Sequence, residues 1–152
     1  MLADLFPRVA DNRYPGRKLG LWLFALTPLK IAMGINVMLN APIVARSADG
    51  IPVESFSEPG RAAFLFMFAA WGLAQLVFGL AGLVVLLRYR SLVPLAFLAL
   101  LVEQVGRKLL HSYWPVERIG TSPGTYINTI LLGIIVLGLL LSLWRPRSSG
   151  GP

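Results

Sequence analysis

The sequence predicts an all-α integral membrane fold, with four transmembrane helices in an up-down-up-down bundle. Three observations carry this reading. Of the 152 residues 56% are hydrophobic and 14% charged, where soluble domains average about 25% charged. The mean hydropathy is +0.70. Four apolar stretches, 19–44, 62–87, 92–110 and 125–144, each approach or exceed the ~20 residues that a helix needs to cross a hydrocarbon core of about 30 Å. Little chain lies outside them. The organisation expected is an N-terminal cytoplasmic or interfacial segment 1–18, one membrane domain 19–144 and a disordered cytoplasmic tail 145–152.

In the N-terminal segment Leu2, Leu5, Phe6 and Val9 have helical spacing, which suits a short interfacial helix. Pro7 and Pro15 oppose it. The first span is longer than the apolar region of about 7–15 residues in a cleaved signal. It also carries Lys30, Asn36 and Asn40, so it reads as a retained helix. Pro28 within it removes one hydrogen bond and clashes with the Phe24 carbonyl, placing a kink two residues before Lys30.

The stretch "RSADGIPVESFSEPG" is a loop punctuated by Asp-Gly, Pro and Glu-Pro-Gly. The second span opens at Gly60–Arg61 and ends at Arg88. Its pairs Ala70/Ala74 and Gly72/Gly79 make small-residue faces for close packing, inside the bundle or in a dimer contact. "RYRS" is a tight turn, so the second and third spans form a hairpin. "SYWPVERIGTSPG" is a second loop before the fourth span, and "WRPRSSGGP" is a flexible tail.

Charge gives the orientation. Arg8, Arg13, Arg17, Lys18, Arg88, Arg90, Arg145 and Arg147 fall on one side of such a bundle. The opposite loops hold Arg46, Arg61 and Arg118, diluted by Asp49, Glu54, Glu58 and Glu117. The positive-inside rule then puts both termini in the cytoplasm. The net charge of +7 fits basic flanks facing anionic lipid, and there is no polar domain to bind nucleic acid.

The polar residues at membrane depth are the functional lead. At a rise of about 1.5 Å per residue, Lys30 and Glu103 lie roughly 16 Å and Gln75 roughly 20 Å from the cytoplasmic ends of their helices. Asn36, Asn128 and Arg107 lie higher, at roughly 22–26 Å, and His111 near the outer surface. In "EQVGRKLLH", Glu103, Arg107 and His111 are spaced by four and share a face, with Gln104 and Lys108 to one side. A charge at the bilayer centre costs about 2.5–3.5 kcal/mol even on the lenient scale. Glu103 should therefore face inward and find Lys30 or Arg107. The expectation is one inward stripe, running from the midplane to an outer mouth between the first and third spans. The candidate ligand-binding residues are Lys30, Asn36, Gln75, Glu103, Arg107 and His111. The bland alternatives are that Arg107, Lys108 and His111 snorkel to headgroups, and that a Lys30–Glu103 pair merely fixes helix register. Trp71 reads as a packing residue beside any such cavity.

Several chemistries are excluded or unsupported. The chain has no cysteine and one histidine, so no disulfide, thiol chemistry, cysteine metal site or histidine-only metal cluster is expected. No HExxH, phosphate loop or Rossmann pattern occurs, and no cofactor is expected.

Gly60–Arg61, the stretch "LLRYRSLVPLAFLALLVEQVGR" and the charged end of the third helix resemble the small bacterial four-helix proteins grouped as DoxX-like. The resemblance covers the second to fourth helices. It implies the bundle and a bacterial inner membrane. Some of these proteins are membrane subunits linked to quinone-coupled oxidation, but the resemblance implies no catalytic residue here. The leading functional reading is a small membrane protein without a catalytic motif, a subunit or accessory of a membrane complex. Its partners would be membrane lipid and other subunits or further copies of itself. The alternative is a bundle that binds or passes a small anionic or quinone-like molecule through a polar intramembrane pocket. An enzyme using Glu103 for proton transfer is the least supported class.

Overall fold

Pro28 divides the first apolar stretch and thereby sets the architecture. The computed structural model describes residues 2–120 and 122–144, so the expected tail 145–152 lies outside the described residues. The α-helices are α1 (Leu2–Leu5), α2 (Lys18–Phe24), α3 (Leu29–Leu39), α4 (Ala41–Ser47), α5 (Glu58–Arg88), α6 (Val93–Tyr113) and α7 (Pro123–Leu143). Single 3-10 turns occur at Val53–Ser55 and Arg90–Leu92. No strand occurs among the described residues.

The sequence predicts one kinked helix over 19–44. The structure has three pieces. Pro28 lacks an N–H, and the backbone tightens around it into bonds to the third residue back: Thr27 N to Phe24 O at 2.9 Å, Lys30 N to Thr27 O at 3.0 Å and Ile31 N to Pro28 O at 2.9 Å. A second break falls at Asn40, whose φ of −123° ends α3, and Pro42 opens α4. The Pro28 break lets the two halves choose different neighbours. α2 packs mainly on α7, while α3 lies along α5.

Three stretches are long and apolar enough to cross a membrane: Lys18–Leu39, Glu58–Arg88 and Pro123–Leu143. α6 equals α7 in length at 21 residues. It is not among the three, because Glu103, Arg107 and Lys108 interrupt its second half.

Glycines fix the α3–α5 contact. A Cβ on Gly34 would lie 2.6 Å from the Gly72 carbonyl oxygen and 2.6 Å from Leu76 N. A Cβ on Gly79 would lie 2.7 Å from Ile31 N. The backbones therefore touch along this seam. Of the two small faces on α5, Gly72 and Gly79 are buried inside, and Ala70 and Ala74 are exposed. The tight turn after Arg88 joins α5 to α6, yet these two helices touch little and α6 lies chiefly on α7. They do not pack as the hairpin the sequence suggests.

We distinguish a turn end, with the Tyr89–Leu92 connection, from a loop end, with the connections 48–57 and 114–122. The turn end is closed. Phe24, Val93, Phe97, Leu100 and Ile135 form its core. Phe24 meets Phe97 edge-to-face at 5.1 Å, and Gly138 lets the Phe97 ring lie against α7. The N-terminal segment is laid over this end. Asp11 N donates to Ser91 Oγ at 2.9 Å, and Ser91 Oγ donates to Asp11 O at 2.9 Å. Arg17 N donates to Leu141 O at 3.0 Å, and its guanidinium lies 4.3 Å from the Trp144 ring centre. Burial pushes the Tyr14 hydroxyl up to about 12. At the loop end, Val37, Ala41, Ala45, Ile51, Val53 and Phe68 make a second core on one side only.

Candidate functional site

The loop end is open between α5 and the α6–α7 pair, and Arg107, Lys108 and His111 of α6 face that opening. Glu103 sits between two cations. Lys30 Nζ lies 3.9 Å from Glu103 Oε2, and Arg107 Nε lies 3.4 Å from Glu103 Oε1. The first separation is an ion pair too long for a hydrogen bond. Lys30 is 9% exposed. The α3 helix begins at Leu29, so the Pro28 break aims Lys30 at α6.

Arg107 ties three helices together. Its Nη2 donates to Gln104 Oε1 on α6 and, at 3.5 Å, to Asn128 Oδ1 on α7. Its guanidinium lies 5.0 Å from the centre of the Trp71 ring on α5, a cation–π distance. Gln104 is the most buried polar group of the cluster, at 1% exposure.

This cluster is incompletely satisfied. Trp71 Nε1, Gln75 Nε2, Glu103 Oε2 and Gln104 Nε2 are buried without a hydrogen-bond partner. Each such group costs about 1–3 kcal/mol. Toward the loop end lies a chamber of about 520 Å³, walled by Phe68, Trp71, Gln104, Arg107, His111 and Asn128. Asp49 and Arg118 stand at its rim. Arg118 Nη1 donates to Ser122 Oγ at 2.9 Å and to Thr125 Oγ1. Burial raises the Asp49 carboxyl above its ordinary range, and Arg118 and then Arg107 oppose the rise.

The sequence candidates divide into two groups. Lys30, Glu103 and Arg107 come together. Gln75 is buried at 4% one turn along α5 from Trp71. His111 lines the chamber but is exposed at its mouth. Asn36 is exposed and accepts a bond from Asn40 Nδ2 at 2.9 Å, apart from the site. The mouth is walled by α5, α6 and α7, so the third predicted span contributes to it as expected, but the first does not and α5 and α7 take its place. Sequence reasoning missed Gln104, placed beside the stripe, and the loop residues Asp49 and Arg118. Asn128 carried a usable signal, since its depth matches that of Arg107.

The fold and the cluster define a helical protein with three helices suited to membrane association and a polar, cation-rich chamber at one end. Comparison with known proteins gives no matching family model, no matching curated protein and no matching solved structure.

Proposed function

We propose that this chain is a four-span protein of a bacterial inner membrane, laid out like the DoxX-like proteins. In this reading both termini and the Arg88–Arg90 turn face the cytoplasm, and the chamber opens on the other side. Its function is to bind an anionic, oxygen-rich small molecule there. α6 then crosses as the fourth span, with Glu103 neutralised by Lys30 and Arg107 instead of facing lipid.

One observation carries this reading: the buried Trp71 Nε1 and Gln104 Nε2, on residues that wall the chamber, have no hydrogen-bond partner. Both are donors, Arg107 on the same wall is a cation, and Lys30 stands behind it across Glu103. Donors beside cations suit a carboxylate or phosphate, which offers acceptor oxygens and a compensating charge. The test is thermal unfolding of the purified chain in nanodiscs, with carboxylates and phosphates set against neutral isosteres. Anions should raise the melting temperature by several degrees, and Arg107→Gln should remove the effect. No response to any anion would end the proposal. A reporter fused after residue 144 checks the orientation, with cytoplasmic activity expected. The alternative of an accessory subunit draws on the outward Ala70–Ala74 face, and predicts a partner chain crosslinked there.

A further inference from the structure

A second cavity, of about 160 Å³, meets the chamber at Gln104. Lys30 and Gln104 form its polar end, and Leu100, Leu131 and Ile135 are among the apolar residues of the rest. Leu26, Leu29 and Ile127 at its rim are 42%, 59% and 49% exposed. In a membrane-crossing bundle those rim residues face hydrocarbon. The cavity is then a lateral crevice whose oily mouth opens to lipid and whose polar end reaches the Lys30–Glu103 pair.

Charge adds a second, independent observation. Around the cluster and the chamber, Lys30, Arg107, Lys108 and Arg118 face only Glu103 and Asp49. The formal surplus is positive even with His111 neutral. The surplus lies at the exposed mouth, on Lys108 and Arg118, while the buried Lys30 and the half-buried Arg107 share the single carboxylate of Glu103; cations so placed draw an anion toward the chamber. The unpartnered Gln104 Nε2 lies where the two cavities meet.

We propose that the two cavities together hold one single-chain amphiphile taken from the surrounding membrane. Its anionic head, a carboxylate or phosphate, sits among Lys30, Gln104 and Arg107. The first part of its hydrocarbon chain lies in the crevice against Leu100 and Leu131. This rests on the reading of the chamber as a ligand site. The crevice has room for about five groups of water size, at roughly 30 Å³ each. The protein thus grips the chain near the head and leaves the rest in lipid. A soluble anion needs no crevice, and a neutral lipid needs no cations. Only an anionic amphiphile uses both.

The experiment is native mass spectrometry of the full chain released from nanodiscs that contain hexadecanoate, hexadecyl phosphate or hexadecanol. One hexadecanoate or hexadecyl phosphate should be retained per chain, with hexadecanol retained at least about tenfold less, as expected for loss of a charge-assisted contact. Leu26→Trp, at the exposed rim where folding is not at risk, should abolish this retention, and Leu131→Trp inside the crevice should do the same. Both variants should keep the thermal response to acetate and inorganic phosphate, which occupy the chamber alone. Equal retention of hexadecanol overturns the proposal. So does retention of the anionic lipids that survives both tryptophan variants, and the chamber would then be a small-anion site only. A chain that responds to no anion, long or short, loses both this inference and the chamber reading beneath it.

Discussion

The two sides of α5 obey opposite rules. On the side facing α3, Gly72 and Gly79 bring backbone against backbone with no room for a methyl group. Toward α6, the half-buried Trp71 lies beneath the Arg107 guanidinium, and its Nε1, like the Nε2 of Gln75 one turn on, is a buried donor that bonds to nothing in the fold. Residues 71 and 72 are neighbours in sequence, so one helix carries both a closed seam and an open chamber. The contrast teaches where stability and binding are separated. Close packing along the α3–α5 seam supplies dispersion contacts and rigidity. That rigid wall can then hold unpaired donors in place, which a loosely packed helix would turn inward to satisfy. Pro28 makes this division possible by releasing α3 from the α2–α7 contact.

The seam is where substitution should do most damage. In Gly34→Leu the new side chain meets the Gly72 carbonyl and Leu76 N, which belong to backbone and cannot rotate away. Overpacking costs of about 1–3 kcal/mol are usual and this site should exceed them. Gly133→Leu is the control, because nothing lies within 4 Å of a Cβ there. It should change stability by no more than about 0.5 kcal/mol beyond the gain of up to about 1 kcal/mol in helix propensity. Unfolding in detergent or nanodiscs reads both. Equal effects would erase the distinction between the two sides.

The ion triad should come next. Glu103→Gln keeps the shape and leaves Lys30 and Arg107 without a counter-charge. Breaking a fully buried pair costs about 3–5 kcal/mol. The loss here should be smaller, because the Glu103 and Arg107 side chains keep 21% and 30% exposure. Lys30→Met in the Glu103→Gln background should restore part of the melting temperature. If Glu103→Gln melts like the parent, the triad holds nothing together and Glu103 belongs to the open side alone.

Much of this was legible in the sequence, and the parts that were not have a common cause. Helix positions followed from apolar runs and breakers: α5, α6 and α7 start and stop within four residues of the predicted spans. The equal depths of Lys30 and Glu103 anticipated their contact. Partner choice was not legible. A tight turn suggested that α5 and α6 would pair, but steric fit decides pairing, and the glycines of α5 fit α3. The double break of the first helix was half visible. Pro28 signalled one break, while Asn40 combines with Pro42 to make the other. Gln104 was set aside because it lies off the stripe of Glu103, Arg107 and His111. Periodicity on one helix cannot tell that the α7 contact buries the adjacent position. Asn36 had the right depth and the wrong face, and depth carries no information about azimuth.

Trp71→Phe sharpens the comparison at smaller scale. The indole N–H is buried and bonded to nothing in the fold, so its removal should leave stability unchanged or raise it by up to about 1 kcal/mol. The ring face beneath Arg107 is retained in a phenyl group. Binding of hexadecanoate, measured by retention in the mass spectrum, should nevertheless fall. A clear loss of stability without any ligand would mean that the N–H already has a permanent partner, such as a structural water, and does not await a ligand.

The smallest expected effect lies at the chamber rim and is read by pH. Asp49 is shifted upward by burial, against the pull of Arg118 and Arg107. The folded chain therefore holds the Asp49 proton to a higher pH than the unfolded chain does. Where the folded state binds more protons, stability falls as pH rises. The contribution of Asp49 is thus most favourable below its unfolded value, declines as pH climbs through the raised folded value, and is level above it. Asp49→Asn cannot ionise, so this decline should vanish and the variant should gain relative to the parent as pH rises. The two proteins share every other carboxylate. Subtracting the two melting curves across the acidic range therefore isolates Asp49. A difference that is flat with pH would show that the rim carboxylate is as well solvated as one on an open surface, and that the chamber is wetter at its mouth than its walls suggest. A difference of the opposite sign would mean that the pairing of Asp49 with Arg118 and Arg107 outweighs its burial, and that the rim is a closed salt link.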